Sequence, residues 1–183
     1  MIKKKVLFPL FIVGIMVLST FGVVLSSFTS NNIESIKYKQ YKFTHDSNIW
    51  FTYKGNQRIE FITDPRELDS VYIGDIITKL VTHPKIYVSI NPDNNLDVER
   101  QIFKETVSQL LKIPIIAACS KDHESCSNLP IKNCNDSVLN QVLVIKLEPG
   151  NNQIQEDPSC IAVLGNRDYI IKIIEKLRLE TLL

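Results

Sequence analysis

The sequence predicts an α/β domain behind an N-terminal transmembrane helix, and three patterns support this prediction. Residues 85–119 have the pattern of a strand, an amphipathic helix and a second apolar strand, which is typical of a βαβ unit. Residues 49–63 contain two apolar runs around a short glycine-containing loop, as in a β-hairpin. Residues 6–28 are uncharged over a length that can cross a bilayer. We therefore expect an α/β fold with α+β character on the N-terminal side.

The N-terminal segment has the features of a retained membrane anchor. Three lysines, Lys3–Lys5, precede 23 uncharged residues from Val6 to Phe28, and a bilayer core needs about 20 apolar residues in a helix. A signal peptide cleaved after Ser26 or Ser27 is the alternative, although its apolar region is usually only about 7–15 residues long. The predicted organisation is a cytoplasmic basic stub at 1–5, a transmembrane signal-anchor helix at 6–28, a tether at 29–35 and an extracytoplasmic α/β domain at 36–183.

The charge balance bears on the partners of the chain. The sequence has 21 basic and 20 acidic residues, and without Lys3–Lys5 the rest has 18 basic and 20 acidic residues. Such a balance provides no evident basic face for a phosphate backbone, which argues against nucleic acid. The predicted partner is the lipid bilayer, contacted by residues 6–28, with the N-terminus cytoplasmic and the domain outside a cell membrane.

The remaining elements follow from apolar periodicity, and they form a small three-layer arrangement of sheet and helices. The predicted strands are Ile36–Phe43, Ile49–Tyr53, Arg58–Thr63, Lys85–Ile90, Ile113–Ala118, Leu139–Leu147 and Cys160–Leu164. The predicted helices are Gly74–Thr82, Leu96–Lys112 and a C-terminal helix with Ile170, Ile173, Ile174 and Leu177 on one stripe. In the second helix Arg100 is expected to face water, and Asn94 or Asn95 to cap the first turn.

The four cysteines, Cys119, Cys126, Cys134 and Cys160, fall in the part of the chain that we place outside the cytoplasm. An even number in an oxidising compartment predicts two disulfides, with three possible pairings. We favour Cys119–Cys126 and Cys134–Cys160, because the second pair would join the long loop 120–137 to a returning strand. The alternative is a metal site of Cys119, His123, Cys126 and Cys134, but its spacing is wider than that of structural zinc modules.

No catalytic motif stands out in the sequence, and no cofactor site is predicted. His45, His83 and His123 occur in expected turns, where a histidine is usually solvated, and no nucleophile or zinc-protease motif accompanies them. The strand-end loops near Asp93 and Cys119 are the place where an α/β fold would bind a ligand.

Asn135 begins an Asn-Asp-Ser sequence, which fits the acceptor pattern for N-glycosylation. It lies in the long loop 120–137, and an exposed loop outside the membrane is where such an acceptor is used. Asn135 is therefore a candidate glycosylation site.

Several segments together resemble a group of small, uncharacterised, membrane-anchored archaeal proteins. The resemblance is carried by the basic N-terminus and anchor, by Phe61–Arg66, by Tyr87–Ile90 before a long helix, and by Cys160–Val163 before a C-terminal helix. It implies the membrane-anchored topology and no assigned activity. We therefore expect a structural or interaction module of the cell envelope. The alternatives are an envelope enzyme or a small-molecule or metal-binding protein that uses the loops near Asp93 and Cys119, or a secreted domain released by signal cleavage.

Overall fold

The computed structural model describes residues 15–16 and 34–182. The predicted transmembrane segment 6–28 lies outside the described residues except for Ile15 and Met16, as does the tether up to residue 33. Among the described residues, no helix combines the length and the apolar character needed to cross a membrane. The predicted mixture of sheets and helices, ending in a C-terminal helix, is confirmed for this part of the chain.

The described chain after residue 33 contains nine short strands, three α-helices and several short 3-10 turns. The strands are β1 (Glu34–Tyr38), β2 (Tyr41–Asp46), β3 (Ile49–Lys54), β4 (Gln57–Phe61), β5 (Lys85–Ile90), β6 (Ile115–Cys119), β7 (Val142–Glu148), β8 (Gln153–Asp157) and β9 (Cys160–Leu164). The α-helices are α1 (Ile76–Thr82), α2 (Asp97–Leu111) and α3 (Arg167–Leu182).

The first four strands form an antiparallel meander in the order β1-β2-β3-β4. Strand β1 begins at Glu34, and the single edge strand predicted at Ile36–Phe43 is wrong, because a turn at Lys39 and Gln40 divides it into β1 and β2. Lys39 has a positive φ of 50°, which lysine rarely adopts. The turn was not predicted because neither of its residues is a glycine or an asparagine, the usual signals of such a turn.

The other five strands form a second sheet in the order β6-β5-β7-β9-β8. Strands β5, β6, β7 and β9 are parallel, and β8 pairs antiparallel with β9. The predicted βαβ unit is therefore present as β5-α2-β6. Strand β8 was not predicted, because Gln153–Asp157 is an edge strand with one apolar residue among four polar ones.

The three helices share one core with one face of the parallel sheet. Residues that alternate along the strands, including Ile86, Val88 and Ile90 of β5, are completely or almost completely buried there. The helices contribute residues such as Leu80, Phe103 and Ile174 to the same core. Apolar side chains at helical and strand spacing thus bury a common surface, as the periodicity predicts.

The opposite face of the parallel sheet is covered by loop 120–137. The hydroxyl of Ser89 in β5 donates a hydrogen bond to the carbonyl oxygen of Lys132 at 2.7 Å, and the Cys134–Cys160 disulfide fixes the loop to β9. Ser89 is fully buried. The second covering layer of the sheet is therefore a disulfide-bonded loop, while the helices occupy the other side.

Helix α3 lies between the two sheets. Its residues Ile170, Ile173, Ile174 and Leu177 belong to the core of the parallel sheet, as predicted. Leu179 and Leu182, which point elsewhere around the helix, belong with Trp50 and Phe61 to a second core under the meander. One helix therefore supplies apolar surface to both sheets.

The glycine at the entry to α1 has a left-handed backbone and a carboxylate close to its Cα atom. Gly74 has a φ of +52°, and a Cβ atom there would lie 1.6 Å from Oε1 of Glu156. That carboxylate accepts a hydrogen bond from the Asp75 amide at 3.1 Å and pairs with Lys79 at 2.9 Å, so a Cβ atom at residue 74 would displace it from both contacts. Gly55, in the β3–β4 turn, has a φ of +61° and no atom within 4 Å of the same position.

We expect Gly74→Ala to destabilise the domain more than Gly55→Ala. Gly55→Ala should lose about 1 kcal/mol of unfolding free energy, because alanine is strained in the left-handed backbone conformation of this turn. The Gly74 variant should lose about 2–3 kcal/mol, because the contacts of Glu156 are disrupted as well. Urea unfolding of the oxidised chain, followed by far-UV circular dichroism, measures both values; equal losses would contradict the predicted crowding at Glu156.

Candidate functional site

The strand-end loops predicted as a ligand site contain groups that pair with one another. Asp93 forms an ion pair with Lys121, from the loop after β6. Arg100, expected to face water, is buried; it donates hydrogen bonds to the Ala118 carbonyl oxygen at 2.9 Å and to Asp97 at 2.5 Å. The predicted asparagine cap of α2 is also wrong, since Leu96 occupies that position. These contacts tie the βαβ unit together.

Glu99 is the one buried carboxylate at this edge with an unsatisfied atom among the described residues. It is 4% exposed, and its Oε2 has no hydrogen-bond partner. Its Oε1 lies 3.5 Å from Nε of Arg167, whose side chain also donates to the Asn95 carbonyl oxygen at 2.6 Å. The pair joins the first turn of α2 to the first turn of α3.

The four cysteines form two disulfides, which confirms the prediction that the chain is disulfide-bonded. The pairs are Cys119–Cys126 and Cys134–Cys160, with Cα atoms 6.2 and 5.3 Å apart. These are the pairs favoured from the sequence. Since both sulfurs of each pair are bonded, the alternative metal site has no thiolates, and no group of three or more potential metal ligands occurs among the described residues.

The remaining residues singled out from the sequence have local roles in this structure. His83 is buried, contrary to prediction: its Nδ1 lies 2.8 Å from the Lys79 carbonyl oxygen, and its Nε2 accepts a hydrogen bond from the Asn140 amide at 3.2 Å. His45 lies in β2 and stacks on Trp50 with ring centroids 4.7 Å apart. His123 accepts a hydrogen bond from the Ser125 amide. Asn135 is exposed in the disulfide-bonded loop.

A groove that the sequence did not predict runs between α2 and α3 beneath the β3–β4 hairpin. The two helices pack side by side. They also run in the same direction, because each follows a strand of the parallel sheet. Pairs along this seam are Glu99 with Arg167, at 3.5 Å, and Thr106 with Arg178, at 2.7 Å.

One end of the groove is a basic cleft of about 440 Å³ where the ends of α2 and α3 approach the hairpin. Its charged residues are Lys54, Arg58, Lys112 and Arg178, against the single carboxylate of Glu60. Lys54 donates to the Thr181 carbonyl oxygen at 3.1 Å, and Arg58 pairs with Glu60 at 2.9 Å. Positive side chains here also face the negative C-terminal ends of two helices.

The positive charge exceeds what these structural contacts require. Glu60 and the buried Glu175 beside Arg178 offset two cations, and each helix C-terminus carries about half a negative charge, so together they offset about three of the four cations. Lys112 makes no side-chain ion pair with any described residue. The cleft thus presents surplus positive charge to solvent, which can attract an anion.

Arg178 separates the basic cleft from an apolar cavity of about 290 Å³. Its guanidinium donates hydrogen bonds to the Glu60 carbonyl oxygen at 2.5 Å and to the Thr106 hydroxyl at 2.7 Å. Desolvation lowers the pKa of Arg178, opposed by nearby Glu175 and Glu60, but an arginine remains charged at any physiological pH. The apolar lining of this cavity is Ile49, Phe61, Ile62, Ile102, Ile171 and Ile174.

The hairpin is held over the groove by a buried carboxylate of α3. Glu175, 4% exposed, accepts hydrogen bonds from the amides of Ile62 and Thr63 at 2.5 and 3.1 Å. Beyond them lies a third, more open cavity of about 600 Å³, which Trp50, Asp64 and Lys172 help to line. The groove therefore changes along its length from basic through apolar to mixed in charge.

Sequence reasoning missed this groove because its residues come from three separate segments. Lys54 and Arg58 flank the hairpin turn, Lys112 follows α2, and Arg178 lies in α3. Each looks like an ordinary surface cation in the sequence. The one signal is Leu179, an apolar residue outside the stripe of α3, which indicates that this part of the helix is buried on a second side.

Comparison of the chain with protein-family models, with curated proteins and with solved structures finds no match. A functional proposal therefore depends on the geometry and the chemistry of the described residues.

We expect the domain to lose stability as the pH falls below about 4. Asp64, Asp93 and Asp136 have pKa values below their ordinary 3.8, held down mainly by the Arg66 side chain, the Lys121 side chain and the Asn133 amide respectively. The unfolded chain thus binds more protons at acidic pH, so the stabilisation present above pH 3.8 disappears as these groups protonate in the folded state.

Urea midpoints of the oxidised chain between pH 7 and pH 2 test this expectation. Asp136→Asn should make the fall of the urea midpoint at acidic pH less steep, because the substituted side chain no longer titrates. If the urea midpoint of this variant falls with pH as steeply as that of the unsubstituted chain, Asp136 does not contribute to the acid sensitivity of the domain.

Proposed function

We propose that this chain is a single-pass membrane protein that displays a disulfide-bonded α/β domain outside the cytoplasm, as a binding or interaction module of the cell envelope. The observation that carries the proposal is the pair of disulfides that hold loop 120–137 across the parallel sheet. Disulfides of this kind form and persist in oxidising compartments and are rare in the cytosol. The apolar segment 6–28 behind three lysines supports the same topology.

The groove beside α3 supports a binding role for the module. It brings surplus cations and an adjoining apolar cavity together at one place, as ligand sites commonly do. An interaction module needs such a surface, whereas none of the described residues forms a recognisable nucleophile and base pair within it.

An envelope enzyme or binder that uses the loops near Asp93 and Cys119 is the alternative proposal. It receives less support, because Asp93 is paired with Lys121 and Cys119 is in a disulfide. A secreted domain, released by cleavage after Ser26 or Ser27, would keep the same fold and groove.

Intact mass of the protein purified from membranes, with and without reduction before alkylation, tests the proposed topology. We expect the full N-terminus and no alkylated cysteine in the unreduced sample, then four alkylated cysteines after reduction. Four free cysteines in the unreduced protein would contradict the extracytoplasmic location. A mass lacking the residues up to Ser26 or Ser27 would replace the anchor by a cleaved signal peptide.

A further inference from the structure

We propose that the groove between α2, α3 and the β3–β4 hairpin binds a single-chain anionic amphiphile, with its carboxylate or phosphate head in the basic cleft and its chain in the apolar cavity. This inference deepens the proposed binding role and depends on it. It rests on the juxtaposition of the two cavities, which share Glu60 and Arg178 as a common wall.

The head would lie among the cations of the basic cleft. Guanidinium groups bind carboxylates and phosphates through paired N–H donors. Arg178 uses two of its hydrogen bonds to hold the hairpin and α2, and it has donors to spare at the boundary between the cavities. Arg58, which pairs with Glu60 at 2.9 Å, and Lys112, which makes no ion pair with a described residue, line the same cleft. The charge of the site is complementary to an anion and repels a cation.

The chain would lie along the isoleucine-lined part of the groove. Ile102 from α2 and Ile171 from α3 face this cavity from below, and Ile62 covers it from the hairpin. Ile62 is 70% exposed although it is a large apolar residue next to a cavity of about 290 Å³. An alkyl chain bound against Ile62 would remove the exposed apolar surface of this side chain from water, which is favourable.

The combination selects between ligand classes. A small polar anion would use the cleft and leave the apolar cavity unoccupied, and a neutral hydrocarbon would leave the cations unpaired. Only a molecule with both parts satisfies both cavities at once. A bilayer is a source of such molecules, and the proposed anchor places the domain beside one.

Photolabelling of the full-length, oxidised chain with a fatty acid that carries a diazirine in its chain tests this proposal. Peptides containing Ile102 or Ile171 should be labelled, and decanoate and decyl phosphate should compete with the label. Decyltrimethylammonium, with the same chain and the opposite charge, should not compete. The relative strength of the two anionic competitors distinguishes a carboxylate head from a phosphate head. Labelling of residues 6–28 by probe dissolved in detergent serves as the internal standard.

Variants with matched controls locate the two halves of the site. Arg58→Gln with Lys112→Gln should reduce groove labelling about tenfold, since two favourable charge contacts are lost. Lys37→Gln with Lys42→Gln, which removes two exposed charges from the meander, should leave labelling unchanged. Ile62→Gln should weaken labelling, whereas Val98→Gln, at a site 63% exposed on α2 and outside the groove, should not.

Labelling confined to residues 6–28 would overturn the proposal, as would groove labelling that persists in the Arg58 and Lys112 double variant. Competition by decyltrimethylammonium equal to that by decanoate would overturn the requirement for an anion. These results are independent of the mass measurement, so a wrong ligand class and a wrong membrane topology can be told apart.

Discussion

Helix α3 has apolar residues on two sides, and both sides are buried. Ile170, Ile173, Ile174 and Leu177 contact the parallel sheet, while Leu179 and Leu182 belong to the core of the meander. Full burial of one such side chain stabilises a fold by about 1.5–3 kcal/mol. Leu68 and Val71 are the other described residues from outside the strands in this core, so the attachment of the meander depends on them and on α3. The final helix of the chain thus holds the two sheets in one structure.

The groove is a consequence of the same arrangement. Because α2 and α3 follow parallel strands, they run in the same direction. They also pack side by side, and the meander attached to α3 extends over the seam between them. Glu175 fixes the end of β4 by accepting two amide hydrogen bonds, and Arg178 fixes the Glu60 carbonyl. These polar groups of α3 lie where the hairpin and the helices do not pack closely, which leaves the basic and apolar cavities. The structural anchor of the meander and the proposed ligand site therefore use neighbouring residues of one helix.

The sequence predicted the elements whose periodicity is regular and missed the contacts that join distant segments. Strands β5 and β9 have the predicted boundaries, since apolar residues at period two bounded by polar turns identify a buried strand. Leu179 was not recognised as a core residue, because it lies opposite the main stripe of α3 and contacts a sheet more than 100 residues earlier in the chain. Arg100 and His83 were expected in solvent and are buried, since each pairs with backbone groups that no local pattern reveals. The groove could not be predicted for the same reason: Arg58, Lys112 and Arg178 converge only through the packing of α3.

Native-state amide hydrogen exchange of Leu179→Ala tests the central role of α3 most directly. The substitution removes a fully buried side chain of the meander core, which should lower stability by about 2–5 kcal/mol. If α3 couples the two sheets, amides of β5 and β7 in the parallel sheet should lose protection together with those of β3 and β4, and by a similar factor. Loss of protection confined to β1–β4 would contradict this account, because it would show that the meander opens while α3 stays in place on the parallel sheet.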